Sequence, residues 1–343
     1  MIGGAADMTR GGARIVTTYS MWSLFRNCRK ACEYRYILGL VPNEKDSNLS
    51  FGRLIHECLQ RWHKNRDLDE VLEFIDIACG NRTSDDSVRK DWHLARAMMT
   101  GYATRYQTEE FSVVELEKTF EGPIINPSTG SASRSFVLAG KVDGIVRIGD
   151  EHFVLEHKTA STIDADYLER LWTDFQISIY SHYVEQVLGI QITGVIYNVL
   201  VKARLQQSAG ETEEEYEARR AGLLAKSKTG KTTAKRRMPE SDEEFQARLV
   251  EKYMEPQMFH REMLYLSRDR FDILRAELWE LTQAFLDARR RNVFYQNTAF
   301  CFHHHKPCAY FPICRSNGNP NVIDNFYTIA APHEELRDET SLE

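Results

Sequence analysis

The chain has 343 residues, 42% of them hydrophobic, enough for one large domain with insertions or two modest ones. Its 50 acidic and 44 basic residues give a net charge of −6, which excludes a global attraction to nucleic acid and leaves a local basic groove as the way to hold a polyanion. No apolar run reaches the roughly 18 residues of a membrane span, and the opening MIGGAADMTRGGAR lacks the apolar core of a signal peptide, so the expectation is a soluble cytoplasmic protein with a disordered start over 1–15 and no membrane partner.

From Tyr19 to Leu40 the pattern is helical. FGRLIHECLQRWHKN opens a second helix after Asn48 and Ser50, with Ile55, Leu59 and Trp62 on one stripe. Two further helices fill 68–107. The pattern then turns to strands, FSVVELEKTF, SFVLAGKVDGIVRI and HFVLEHKTA, separated by NPSTG and GD turns, which fits an antiparallel meander. DYLERLWTDFQISIYSHYVEQVLG reads as one long helix ending at Gly189, and ITGVIYNVLV as a buried strand. Dense charge over 203–256 predicts a solvated helical insertion around a flexible basic loop. Helix resumes at 258–291, followed by a Cys/His/Pro-rich segment over 299–320 and an acidic tail over 326–343.

Side chains alternate along a strand, so Glu156 and Lys158 share one face while Leu155 and His157 occupy the other. Asp143, between apolar neighbours in GKVDGIV, returns beside them if the glycine and aspartate at 149 and 150 form the turn. Two carboxylates in one place repel unless a cation lies between them, and an oxygen set suits Mg²⁺ or Mn²⁺. Such an ion acidifies a bound water and clamps a phosphoryl oxygen, while a neighbouring lysine orients the water or offsets charge; this points to phosphodiester hydrolysis. By itself, E-x-K on a strand is more often a cross-strand ion pair. Gln176 and Tyr180, at i and i+4 in FQISIYSHY, read alone as a polar helix face beside a packed aromatic. His56, beside an apolar helix stripe, reads alone as a surface or core histidine.

In their order these residues resemble the RecB-like nucleases of the PD-(D/E)XK superfamily: G-x-x-x-H from Gly52 to His56, G-x-x-D from Gly140 to Asp143, E-x-K over Glu156, His157 and Lys158, and Q-x-x-x-Y from Gln176 to Tyr180. The resemblance implies a restriction-endonuclease-like α/β core, a mixed central sheet flanked by helices, within a single domain over 16–325. It implies that His56, Asp143 and Glu156 bind the metal with help from the backbone carbonyl of His157. It also implies that Lys158 is catalytic and that Gln176 and Tyr180 support the site and hold DNA. The activity it implies is that of a single-strand-preferring exonuclease in recombination, repair or phage DNA metabolism, with a helicase or recombination partner.

The seven cysteines are an odd number in a chain without an export signal, which argues against a disulfide framework. Cys301, Cys308 and Cys314, in CFHHHKPCAYFPICRS, form a thiolate group wanting a fourth ligand, for which zinc and iron–sulfur both fit. Ser20 and Cys28 match a spacing of the iron–sulfur subgroup of these nucleases, which includes the CRISPR adaptation nuclease and AddB-type helicase-nucleases. That resemblance implies a structural [4Fe-4S] cluster on Cys28, Cys301, Cys308 and Cys314 that staples the two ends of the domain. Arg29 departs from the subgroup, which has Pro there, and the gap from Cys301 to Cys308 is longer than its C-x-x-C. A structural Zn²⁺ held with His303, His304 or His305 is the alternative. Cys32, Cys58 and Cys79 read as small buried hydrophobes.

AKSKTGKTT, 225–233, fits a loose P-loop, but no buried strand precedes it and no helix opens after it. Lys226, Lys228, Lys231, Lys235, Arg236 and Arg237 read instead as a mobile basic arm touching phosphates, or as a solvated loop. Tyr34 and Tyr36, among basic residues, suit either stacking on single-stranded bases or the core. Two readings compete with the nuclease: a catalytically inactive DNA-binding or scaffold subunit that keeps the fold, and a zinc-stabilised ATPase.

Overall fold

Residues 14–43, 47–80, 86–227, 229–303, 306–333 and 336 are described in a computed structural model of the protein. The expected disordered start through residue 13, Lys228, His304, His305, the His303 side chain and residues 337–343 lie outside the described residues. The chain opens with β1 (Ile15–Thr17) and α1 (Tyr19–Asn27), whose first turn is capped by the Thr18 hydroxyl accepting from the Met21 N–H at 3.3 Å. Cys28 is extended, with φ −158° and ψ 112°, so the helix expected over 19–40 is broken there. It resumes as α2 (Arg29–Cys32) and a π-helical turn, Glu33–Ile37, before β2 (Leu40–Pro42). The break points the Cys28 sulfur at the C-terminal loop, where the Asn297 N–H donates to it at 3.4 Å.

Three helices follow, α3 (Ser47–Asn65), α4 (Leu68–Gly80) and α5 (Asp86–Arg105), as their apolar stripes predict. The antiparallel meander then forms from β3 (Ser112–Ile125), β4 (Ala132–Ile148) and β5 (Glu151–Ala160). On β4, Gly140 lies opposite Phe120 of β3, whose ring covers it so closely that a Cβ would collide with it.

The single helix expected up to Gly189 is two, α6 (Ala165–Leu171) and α7 (Phe175–Leu188). Asp174 divides them by capping α7, accepting from the Gln176 N–H at 2.8 Å and from the Tyr197 hydroxyl at 2.6 Å. Gly189, at φ 64°, ends α7 in the left-handed conformation glycine favours. Next comes β6 (Ile192–Val201), parallel to β5 and covered on both faces, which accounts for its unbroken apolar run.

The charged segment splits in two. Capping boxes at Thr212/Glu215 and Ser241/Glu244 start α8 (Glu213–Lys226) and α9 (Asp242–Tyr253). No α8 side chain is buried, as expected of a solvated insertion, but α9 buries Phe245, Leu249 and Tyr253 and belongs to the core. Another correction follows: Phe259–Tyr265 is an edge strand, β7, antiparallel to β6, and helix begins only with α10 (Asp269–Arg291). Short pieces complete the chain: β8 (Phe302–His303), β9 (Lys306–Pro307), α11 (Phe311–Arg315), α12 (Pro320–Phe326) and β10 (Tyr327–Ile329). The start of the expected acidic tail is thus a strand, paired antiparallel with β2.

Among the described residues six strands form one mixed sheet, ordered β1-β4-β5-β6-β7 with β3 also on β4. Trp22, Phe285 and Tyr183 of α1, α10 and α7 pack on one face with Phe136 and Val154. On the other, Ile55, Leu59, Met98 and Tyr102 of α3 and α5 meet Phe259, Leu249 and Leu200. Helices therefore flank a mixed sheet, the layering expected of an α/β core. A smaller cluster of Cys28, Leu40, Tyr310, Ile313 and Tyr327 joins the N-terminal segments to the C-terminal ones. No helix among the described residues is long and apolar enough to cross a membrane.

Candidate active site

Along one edge β4 changes partners, pairing with β1 at 136–138 and with β5 at 144–148. Asp143 stands just outside the final β4–β5 pair, Gly144 with Leu155, and from Glu156 onward β5 continues with β6 alone. The strands fork at this point, and the two carboxylates flank the fork. The backbone N–H of His157 donates to Asp143 Oδ2 at 2.7 Å, and His56 Nδ1 on α3 lies 3.2 Å from Asp143 Oδ1. Lys158 Nζ donates to Glu156 Oε1 at 2.5 Å and to Gln176 Oε1 at 2.9 Å, while Gln176 Nε2 donates to the same Glu156 oxygen at 2.9 Å. The other oxygen, Glu156 Oε2, is buried without a hydrogen-bond partner.

Burial opposes every charge here, and the neighbours decide the outcome. It would lower the His56 pKa, but Asp143 raises it to about 9. It pushes Asp143 up, yet His56 and the His157 N–H hold that carboxyl below the usual carboxylate range. Burial raises Glu156, Lys158 partly offsets this, and Asp143 adds to it, so the carboxyl ends above its ordinary value. Burial would lower Lys158, but the Glu156 carboxylate raises it.

Residues 17–315, most of the chain, match the family model of the PD-(D/E)XK nuclease superfamily. The chain belongs to the PD-(D/E)XK nuclease superfamily. No curated relative matches it.

PD-(D/E)XK nucleases generally use Mg²⁺ or Mn²⁺, and Glu156 Oε2 offers the test of fit. An orphaned buried acceptor costs about 1–3 kcal/mol, more when charged, and a second carboxylate beside it adds repulsion. A divalent cation between Glu156 and Asp143 relieves both, and oxygen donors suit Mg²⁺ or Mn²⁺. The donor set of this PD-(D/E)XK fork therefore fits the ion. As they stand, with His56 turned onto Asp143 and Lys158 onto Glu156, no three His, Cys, Asp or Glu side chains among the described residues are gathered as a metal-holding group.

Behind the fork, on the opposite face of β5, a buried polar network holds His157. Asn198 Nδ2 on β6 donates to His157 Nδ1 and to the Tyr102 hydroxyl, both at 2.9 Å. The Tyr102 hydroxyl also meets His63 Nε2 at 3.1 Å and Arg261 Nη2 at 3.0 Å, and Glu109 holds the Arg261 guanidinium through both oxygens. The His63 and His157 rings stack at 5.3 Å. Burial lowers the His157 pKa to about 3, so the ring is neutral and accepts the Asn198 proton.

Motif reading does not find Asn198, Tyr102 or Arg261, because none of them stands in a motif and only the tertiary fold unites them. Glu117 is missed for another reason. It sits on β3 between the Leu116–Gly144 and Lys118–Val142 pairs with φ 48°, a conformation non-glycine residues rarely adopt, and pairs with Lys141 at 2.5 Å. Burial raises its pKa, and both Asp143 and His56 act on it, so it stands beside the site.

Tyr180 is packed edge-on to Phe120 at 5.6 Å, and burial raises its pKa. Tyr36 is buried and stacks on His333 at 5.2 Å, so core, not base stacking, is its role. Tyr34 packs against Tyr310 at 5.7 Å, and burial with the nearby Cys314 raises its pKa. The expected basic arm is laid on acidic residues around α8: Arg236 donates to the Glu211 carbonyl at 2.8 Å and to Glu213 at 2.9 Å, and the Arg237 N–H to Glu211 at 3.1 Å. The Lys231 carbonyl accepts from Ser227 at 3.0 Å. A helix, α8, leads into the P-loop-like stretch, where that motif requires a strand.

The four thiols chosen by sequence share one neighbourhood. Burial raises the Cys314 pKa, and Cys28, Cys308 and Cys301 raise it further. The Tyr310 N–H donates to Cys308 at 3.5 Å, and Cys301 Sγ to the Asn297 carbonyl at 3.8 Å. Among the described residues the thiols are not gathered as a closed ligand cage as they stand.

Proposed function

We propose that the protein is a metal-dependent deoxyribonuclease that hydrolyses phosphodiester bonds at the Asp143–Glu156–Lys158 fork with Mg²⁺ or Mn²⁺. The observation that carries this reading is Glu156, held through one oxygen by Lys158 and Gln176 and left with its other oxygen buried and unpartnered beside Asp143. When bound, the ion acidifies a water and offsets charge on the phosphoryl group. Asp143, Glu156 and His56 hold it, with the backbone carbonyl of His157. Lys158 orients the attacking water and stabilises the charge that builds on the phosphoryl oxygens. Gln176 fixes the Lys158 ammonium, and Gln176 and Tyr180 support the site and help hold DNA.

The finer reading rests on the resemblance in motif order: preference for single strands, attack from an end, and work in recombination, repair or phage DNA metabolism, in the cytoplasm beside a helicase or recombination partner. Cys28, Cys301, Cys308 and Cys314 hold a structural [4Fe-4S] cluster in this reading, supported by their common neighbourhood and by the N–H groups directed at Cys28 and Cys308. Zn²⁺ at the same thiols is its rival.

End-labelled single-stranded DNA incubated with the parent and with Lys158→Ala, in Mg²⁺ or Mn²⁺, tests the activity. Only the parent should release product, and blocking the 5′ or 3′ end should stop it. A parent that binds DNA and hydrolyses none with either metal is the scaffold subunit instead.

A further inference from the structure

Next to the fork lies a hollow of about 640 Å³ that opens onto Lys158 and runs between α1, α6 and the start of α7. That volume is within the range of roughly 300–1,000 Å³ typical of small-ligand clefts. Its lining combines cations, Arg26 and Arg170, with aromatic rings, Tyr19, Tyr167 and Phe175. Both arginines are exposed, and no carboxylate among the described residues pairs with either. Arg170 spends only its Nε, on the Asp166 carbonyl at 3.0 Å. The Arg26 guanidinium lies 4.7 Å from the centre of the Phe175 ring, and the Tyr19 ring is 6.3 Å from Phe175. The lining carboxylate, Asp174, has both oxygens engaged, one by the Gln176 N–H and the other by the Tyr197 hydroxyl.

A chain of net charge −6 holds a polyanion only where cations are locally concentrated, and half-buried rings take unpaired bases, since paired ones hide their faces in the stack. We propose that this hollow seats the nucleotides of single-stranded DNA next to the bond being cut. Arg26 and Arg170 take the phosphates, and Tyr19, Tyr167 and Phe175 stack on the bases. The proposal rests on the nuclease reading of the fork. A second hollow, about 430 Å³, continues past Arg26, but Asp269 and Glu277 line it and the strand's path stops short of it.

The test is the anisotropy of a fluorescein-labelled oligothymidylate, titrated with Ca²⁺ in place of Mg²⁺ at several salt concentrations. Replacing both arginines, Arg26→Ala with Arg170→Ala, should weaken binding about ten-fold or more and flatten the slope of log K against log salt by about 0.7 for each phosphate that is no longer neutralised. Phe175→Leu should weaken binding roughly ten-fold with the slope kept. Arg290→Ala, on the exposed face of α10, should change neither. Unchanged affinity and slope in the double variant, or a blunt duplex bound as tightly as the single strand, would overturn the proposal. A parent that binds through the two arginines yet cuts nothing with Mg²⁺ or Mn²⁺ refutes the nuclease reading and supports the groove. A parent that cuts DNA while the double variant binds as it does refutes the groove alone.

Discussion

Lys158 reaches Glu156 through only one of its two carboxylate oxygens, at 2.5 Å, and leaves the other buried and bare. Lys158→Ala should lower kcat about 10²–10⁴-fold, the usual worth of a positioned proton-handling or charge-stabilising group. Lys158→Arg should not rescue it, because a planar fork cannot occupy the point between Glu156 and Gln176 that a compact ammonium fills. Single-turnover cleavage of labelled DNA in Mn²⁺ checks both; an active Lys158→Ala would remove lysine from the chemistry.

Asn198 is fully buried, with its amide shared between His157 and Tyr102 and its oxygen facing Arg261 Nε at 3.3 Å. Asn198→Leu strands these partners and should cost about 2–3 kcal/mol, seen in urea unfolding. Since His157 is held by this amide, kcat should fall while KM barely moves. A loss of stability without any change in kcat would limit the network to structure.

His182 is buried against Phe271, with its ring 5.2 Å away, and Gln186 donates to it at 2.8 Å. Burial and then Arg275 lower its pKa from 6.5 to about 4. Between those values the unfolded chain binds more protons than the folded one, so stability is full above about pH 6.5 and is lost as pH falls toward 4. His182→Leu should flatten the dependence of unfolding free energy on pH in that window; equal slopes for parent and variant would refute this.

A Cβ at Gly101 would stand 2.6 Å from Tyr253 Cβ and 2.9 Å from the Tyr253 carbonyl oxygen, both on α9. Gly101→Ala should push α9 from α5 at a cost of about 1–3 kcal/mol. Limited proteolysis should then cut the 203–256 segment faster than in the parent.

Cys314→Ser should bleach any visible absorption of anaerobically purified protein and lower its melting temperature, because ligand-held metal contributes to folding. Colourless parent protein carrying stoichiometric zinc would replace the cluster with Zn²⁺.

Where sequence reading succeeded, local pattern and tertiary demand agreed. The alternation that put Glu156 and Lys158 on one face survives because β5 is packed on both sides, and the turn before Glu151 returns Asp143 to its place. Where it failed, distant contacts overrode the pattern. FHREMLY is rich in residues that suit helices, yet β6 needs an edge partner and draws it into β7. The Trp172–Asp174 break is invisible in an apolar stripe because its cause, the Tyr197 hydroxyl on Asp174, comes from another strand. Tyr36, which the sequence leaves open between base stacking and the core, is buried against His333, a partner nearly three hundred residues away that no local pattern shows.

Asn297 grips the end of α1 twice, its Nδ2 donating to the Asn27 carbonyl at 2.7 Å and its N–H to the Cys28 sulfur at 3.4 Å, while the Lys30 N–H reaches the Tyr295 carbonyl at 3.1 Å. Mechanically, the Tyr295–Asn297 loop is a fulcrum. Whatever alters the bonding of Cys28 levers the last turn of that helix, and with it the poise of Arg26 over the Phe175 ring, so sulfur chemistry at the end of the helix has a direct purchase on the grip two residues away.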